Sequence, residues 1–529
     1  MKKKLALFLV SVAALFLLAA CGSGGGDSGG KDGKKDASGG GELKIALSSS
    51  IASLDPISYT AVYESNIMRS VFNTLVSYDK DMQEIVPELA ESWTISKDMQ
   101  TYTFKLREDV HFHKGKYQDG RKMVADDVKY SLERSLNESA LNRLRNVKEI
   151  TVISDTELSI ELEQPYAAFL AMLTDMGNVI VPHEEVEGWG DKFGQNPVGT
   201  GPFVFKEWLT DDYVQLVRND DYWLTTPNLS GVKFSFITDK NMMGNALQSG
   251  DIDVATDISG QNVELIEKND NLVLEKVNGL SIGYLSFNVT EGPTKDLKVR
   301  QAMNLALDKD ELLKGFYKYG EAKTAYLPLP RSSWGYSEKV AQKVKEQGGP
   351  NVDEAKKLLA DAGYPDGFDI ELYTSEARVA AATIVQNQME KIGINISIKA
   401  VEWGTFSDTV SSGKAPLYIM GWSWYPDPDF FLYQLFDSKQ IGSLGNGGGY
   451  NNPKVDELLL KATSTTTDEK ERAAIYEEAL DIITDDLPHL DLYDQDIIVG
   501  LSKKVKGYNV RPDNSIYLVT NETNVSLED

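Results

Sequence analysis

From residue 42 onward the chain alternates two hydrophobic patterns. Short runs of β-branched and aromatic residues with polar residues interleaved predict strands at Glu42–Ala46, Thr101–Leu106, Leu158–Leu162, Tyr213–Arg218, Lys233–Ile237, Ile282–Asn288, Asp369–Tyr373 and Ile394–Val401. Helical spacing predicts helices at Asp127–Leu136 (with Asp126 as the cap), Asp296–Tyr319, Asp353–Ala362, Ala377–Ile392, Val455–Thr463 and Asp468–Thr484. Helices concentrate in the second half, so the pattern predicts α/β lobes and not an all-β sandwich. Pro197–Pro202 and Gly445–Gly449 read as turns and loops, without the lysine and spacing of a phosphate cradle. No repeat at a period of 20–50 residues is present, which disfavours a solenoid or propeller.

Ahead of residue 42 the pattern is different. Lys2, Lys3 and Lys4 precede an apolar run, Leu5–Ala20. Its 16 residues fall short of the roughly 20 that span a bilayer, so residues 1–20 read as a signal peptide. The run ends Leu18-Ala19-Ala20-Cys21-Gly22, which resembles the lipobox of bacterial lipoproteins. That resemblance implies cleavage before Cys21 and acyl chains on it, and two or three chains give stable membrane attachment. Gly22–Gly41 holds ten glycines in twenty residues and cannot bury enough surface to fold. Residues 21–41 are therefore expected to be a lipidated cysteine and a flexible tether with a reach of roughly 25 Å.

Composition narrows the function. At 529 residues the chain is too long for one core, and a length prior gives about three domains. Its formal net charge of −26 repels phosphate backbones, so sequence-independent nucleic-acid binding is not expected. One cysteine excludes an internal disulfide and a multi-cysteine metal centre. His111 and His113 stand two apart with no third ligand nearby, and read as strand surface, not metal ligands. With Cys21 committed to the anchor there is no cysteine nucleophile, and no carboxylate pair stands out among 80 acids, so an enzyme is not expected. No cofactor and no metal are expected.

Several separated motifs occur in one consistent order. They are Ser53-Leu54-Asp55-Pro56, Pro87–Trp93, Tyr102–Arg107, Val110–His113, Ala125–Ser131, Gly199–Phe203, Val299–Asp308, Glu402-Trp403 and Gly421-Trp422. Together they resemble the solute-binding protein family that includes the oligopeptide- and dipeptide-binding lipoproteins of ABC importers. The resemblance implies an α/β, two-lobed, periplasmic-binding-protein-like clamp with three domains. Domain I would comprise 42–72, 198–285 and 490–529, domain II 73–197 and domain III 286–489. It also implies a monomer on the extracytoplasmic face of the cell membrane that captures peptides between its lobes and delivers them to an ABC permease. Backbone groups would satisfy the peptide's amides in strand-like fashion. The same fold could instead take a modified peptide, glutathione, haem or a nickel chelate, or serve as an adhesin or chaperone-like factor.

Matching the motifs residue by residue puts Ala61 and Val62 on one side of the cleft and Gly421, Trp422 and Ser423 on the other. Trp403 matches a tryptophan at the cleft, and Arg378 stands where some relatives meet the ligand's carboxylate. The chain departs from the pattern at Trp424 and Tyr425, where peptide binders place the aspartate that pairs with the ligand's ammonium. Either Asp257, Glu402 or Asp427 takes over that role, or the aromatic pair offers a cation–π surface and a free N-terminus is weakly recognised.

Overall fold

The computed structural model describes residues 40–139 and 144–528; the signal-peptide, Cys21 and tether readings lie outside the described residues, save Gly40 and Gly41. The strands are β1 (Glu42–Leu47), β2 (Val76–Tyr78), β3 (Ile85–Pro87), β4 (Ala90–Ile95), β5 (Thr101–Leu106), β6 (Val147–Ser154), β7 (Glu157–Leu162), β8 (Phe203–Leu209) and β9 (Tyr213–Arg218). They continue with β10 (Gly231–Phe236), β11 (Val254–Ala255), β12 (Leu272–Phe287), β13 (Ala322–Thr324), β14 (Phe368–Thr374), β15 (Ile394–Ala400), β16 (Leu417–Ser423) and β17 (His489–Ser502).

One eleven-stranded sheet organises the molecule, in the order β15-β14-β16-β12-β17-β11-β1-β10-β9-β8, with β13 added to β17. Its middle is the long antiparallel pair β12 and β17, registered from Leu272 opposite Ser502 to Ser286 opposite His489. This pair ties the β14–β16 lobe to the β1 and β8–β11 lobe, so the chain forms a two-lobed α/β clamp. A separate sheet, β4-β5-β7-β6, packs beside them. In β5 the period-2 pattern works as expected: Tyr102, Phe104 and Leu106 are buried while the residues between them are not.

Three large cores follow. One gathers residues from 43–72, 176–234 and 499–525; another gathers 285–312 with 355–419 and 487–493. A third runs from the small sheet to the helices of 430–483, and so crosses between the lobes.

Several expectations are corrected. The helix read at Asp127–Leu136 spans Ala125–Glu138, and Asp126 does not cap it; Asp127 reaches back instead, its Oδ2 accepting the Val124 N–H at 2.9 Å. The pattern Asp296–Tyr319 is two helices, Leu297–Ala306 and Lys309–Phe316. Leu307 is extended between them, and Asp308 caps the second by accepting the Glu311 N–H at 2.9 Å. His113 is not on a strand surface: it is buried, and its Nε2 lies 2.8 Å from the Gly201 carbonyl oxygen.

His489 is buried too, stacked face to face on Tyr284 with centroids 4.2 Å apart, and burial pushes its pKa down to about 3. Because the folded value lies below the unfolded one, this residue's contribution is present above pH 6.5 and is lost as the pH falls toward 3. His489→Phe should keep the stack and flatten the dependence of unfolding free energy on pH below 6.5 by up to about 1.4 kcal/mol per pH unit. Urea titrations from pH 7.5 to 4 read it directly; identical slopes in the two proteins would contradict it.

Candidate functional site

The turn at Ser53–Pro56 is held from several directions. Asp55 makes a two-pronged ion pair with Arg134, both contacts at 2.7 Å, and the Leu54 N–H donates to the Gly194 carbonyl at 3.0 Å. A side chain on Gly194 would collide with Ser53, its Cβ 2.1 Å from Oγ. So anchored, the chain leads into extended backbone at Ala61, directly before the helix Val62–Val71.

From the other lobe β16 runs antiparallel to β12, placing Gly421 opposite Gly283 and Ser423 opposite Ser281. Beyond Ser423 the chain leaves the sheet as an aromatic slab. Trp424 is stacked between Trp422 (6.2 Å, 22°) and Phe430 (5.9 Å, 9°), and Trp422 Nε1 donates to the Phe430 carbonyl at 3.0 Å.

Ala61, Val62, Ser423 and Trp424 line one cavity of about 390 Å³, within the range of small-ligand sites. Tyr425 spans it: its hydroxyl donates to Asp175, which also accepts from the Tyr59 hydroxyl at 2.5 Å and the Gly177 N–H at 2.7 Å. A second phenol–carboxylate bond joins the lobes in the reverse sense, Tyr166 donating to Asp429 at 2.6 Å. Burial and the neighbouring Asp427 push the Asp429 pKa up to about 6.

The remaining candidates lie elsewhere. Arg378 sits over Gly421, where a Cβ would be 3.0 Å from Nη2, so the strand position and the guanidinium are adjacent. Asp257 pairs with Lys240 at 2.9 Å and lines a neighbouring cavity of about 490 Å³. The two cavities share a wall: Asp513 and Ser515 face the first, Asn514 the second. Glu402 caps the helix Trp403–Ser411 by accepting the N–H groups of Gly404 (2.9 Å) and Thr405 (3.4 Å). Trp403 is 52% exposed on that helix and rests on Phe406. Asp427 is buried in a two-pronged ion pair with Arg472 (2.8 and 2.9 Å).

None of the three acids expected to replace the ammonium partner therefore lines the cavity with Ser423 and Trp424. The acids that do are Asp175 and Asp513, and the cation is Arg69. Only tertiary structure reveals Asp513. Asn66, on the helix after Ala61, takes the Ile516 N–H at its Oδ1 and donates to the Asn514 carbonyl from Nδ2, each at 3.1 Å, binding segments about 450 positions apart.

Comparison with known proteins follows the same outline. Residues 84–443 match the profile described as bacterial extracellular solute-binding proteins, family 5 middle. The glutathione-binding protein GsiB of Pectobacterium atrosepticum is 32% identical over 488 residues, 89% of this chain and 91% of that protein. The heme-binding protein A of Haemophilus influenzae is 31% identical over 473 residues, 84% of this chain and 85% of that protein. Among solved structures, the ABC transporter-associated periplasmic binding protein DppA from Helicobacter pylori, in complex with the peptide STSA, superposes with a TM-score of 0.78 at 31% identity. That match covers 94% of this chain and all of that one.

Proposed function

The chain belongs to the bacterial extracellular solute-binding proteins of family 5, and from that premise we propose that it captures short peptides between its lobes and delivers them to the permease of an ABC importer. It is a binding protein, not an enzyme, and it works outside the cytoplasm. The observation that carries the peptide reading is the single cavity in which Ala61 and Val62 of one lobe face Ser423 and Trp424 of the other. Ala61 lies in extended backbone and Ser423 ends a strand, so both offer main-chain groups to an extended ligand. Trp424 adds an apolar wall.

The packing of 43–72, 203–234 and 499–525 in one core supports a domain I assembled from 42–72, 198–285 and 490–529, with domain II at 73–197, whose residues 176–193 join that core, and domain III at 286–489. The protein acts as a monomer held to the membrane by acyl chains on Cys21. Cys21→Ala should leave unprocessed precursor and abolish incorporation of labelled fatty acid; unchanged labelling would overturn the anchor.

Ligand binding to the folded state alone raises stability by about 2.7 kcal/mol at a hundredfold excess over Kd. A thermal-shift panel of dipeptides to pentapeptides should therefore raise Tm. Haem, glutathione and a nickel–histidine chelate belong in the same panel. A shift with haem or the chelate and with no peptide would overturn the peptide reading.

A further inference from the structure

Two cavities lie side by side, and a thin strap of the C-terminal segment divides them. Asp513 and Ser515 line the cavity of about 390 Å³ that also holds Ala61 and Trp424. Asn514, between them in the chain, lines the neighbouring cavity of about 490 Å³ together with Asp257. Joined, the two would give a ligand more than twice the space of the first alone.

The strap is not part of a helix or a strand. Its own bonds make a turn: Asp513 Oδ1 accepts the N–H and hydroxyl of Ser515 at 3.0 and 2.6 Å, and the Asn514 N–H donates to the Arg511 carbonyl at 3.0 Å. The turn holds Asn514 at a φ of 57°, a left-handed conformation that asparagine tolerates better than most residues. Its ends are fixed, on one side by the Pro512 carbonyl, which accepts the Leu280 N–H at 2.9 Å, and on the other by buried Ile516. Among the described residues, the side chain that ties the middle to the rest of the protein is Asn66. Its Nδ2 donates to the Asn514 carbonyl and its Oδ1 accepts the Ile516 N–H, each at 3.1 Å. An amide side chain carries a donor and an acceptor side by side, so it takes both main-chain groups at once. Asn66 is 1% exposed and stands on the helix Val62–Val71, whose Val62, Ser65 and Arg69 line the first cavity. One helix therefore both lines the cavity and pins its wall.

An extended peptide lengthens by about 3.3 Å with each residue. A wall at fixed depth acts on length, because a residue that has to pass it collides with main chain. We propose that the strap Asp513–Ser515, pinned by Asn66, sets the longest peptide the protein accepts, and that releasing the pin opens the second cavity to the residues beyond. The proposal rests on the peptide-capture reading. Asn66 lines neither cavity, so it acts through the strap as a positioning residue.

The test is calorimetric titration with dialanine, trialanine, tetraalanine and pentaalanine. The unaltered protein should bind dialanine or trialanine about tenfold or more tighter than pentaalanine, a readout that needs no variant to fold. Asn66→Ala should bring the short and long peptides within about threefold of each other, by raising affinity for pentaalanine. A purely structural role for Asn66 would instead lower Tm and weaken every length alike. Adding Asp257→Trp to Asn66→Ala obstructs the second cavity and should restore the preference for short peptides. If Asn66→Ala shows no folding transition, Asp513→Ala, which cuts the strap's own turn, serves for the same comparison. Equal affinity of the unaltered protein across the series, or a length preference that survives release of the strap, would overturn the wall while leaving peptide capture standing. Binding of no member of the series would overturn both, because main-chain recognition does not depend on the side chain.

Discussion

Replacing Asp427 with alanine is expected to cost the folded protein about 3–5 kcal/mol, the largest stability effect of any change near the cleft. Asp427 is 4% exposed and Arg472 3% exposed. The carboxylate takes both terminal nitrogens of the guanidinium and also the Asp429 N–H at 3.0 Å. Arg472 is otherwise fixed by its Nε bond to the Ala462 carbonyl at 2.9 Å and by the ring of Trp334, 5.0 Å away. Alanine would leave a buried cation without its two-pronged counter-charge. The same change at Asp257, whose pair with Lys240 is solvent-exposed, should cost under about 1 kcal/mol. Urea unfolding of the two variants distinguishes them, and equal midpoints would contradict the assignment. Asp427→Ala should also weaken ligand binding, because the pair holds the end of the loop that carries Ser423 and Trp424.

The sequence made some of this architecture legible and concealed the rest for identifiable reasons. Strands with one buried face, such as β5 with Tyr102, Phe104 and Leu106, announce themselves by alternation. The central strand β17 does not, because Asp491, Asp494 and Asp496 interrupt its apolar pattern. All three are buried, and Asp494 is compensated by Arg331 at 2.7 Å and Asp496 by Lys276 at 3.3 Å. The first half of β12 is half-exposed and reads as polar for the opposite reason. Ala61, Val62 and Ser423 were readable because a turn motif and a glycine–tryptophan pair fix their positions in the chain. The charged residues of the cavity were not. Asp427 looks available in sequence and is consumed by Arg472, whereas Asp513 lies in a C-terminal segment brought to the cleft by long-range bonds such as those of Asn66.

The second large effect concerns the cavity itself. Ala61→Trp should place an indole in the space between the lobes and reduce peptide affinity at least a hundredfold, about 2.7 kcal/mol. Ala61 is only partly buried, precedes the helix and has an extended backbone that tolerates any side chain, so Tm without ligand should move little. Enlarging a side chain at Asp257 in the neighbouring cavity should leave affinity within threefold for a dipeptide. Unchanged affinity in Ala61→Trp would relocate the ligand to that second cavity.

The most direct test of the central claim is native mass spectrometry of the soluble protein, residues 40–529, purified from the cells that make it. The expected result is an adduct of peptide mass that collisional activation releases, that yields an amino-acid sequence on fragmentation, and that is missing from the Ala61→Trp variant. A porphyrin or metal-chelate mass in its place, or a peptide adduct retained equally by Ala61→Trp, would contradict capture of peptides between Ala61 and Trp424.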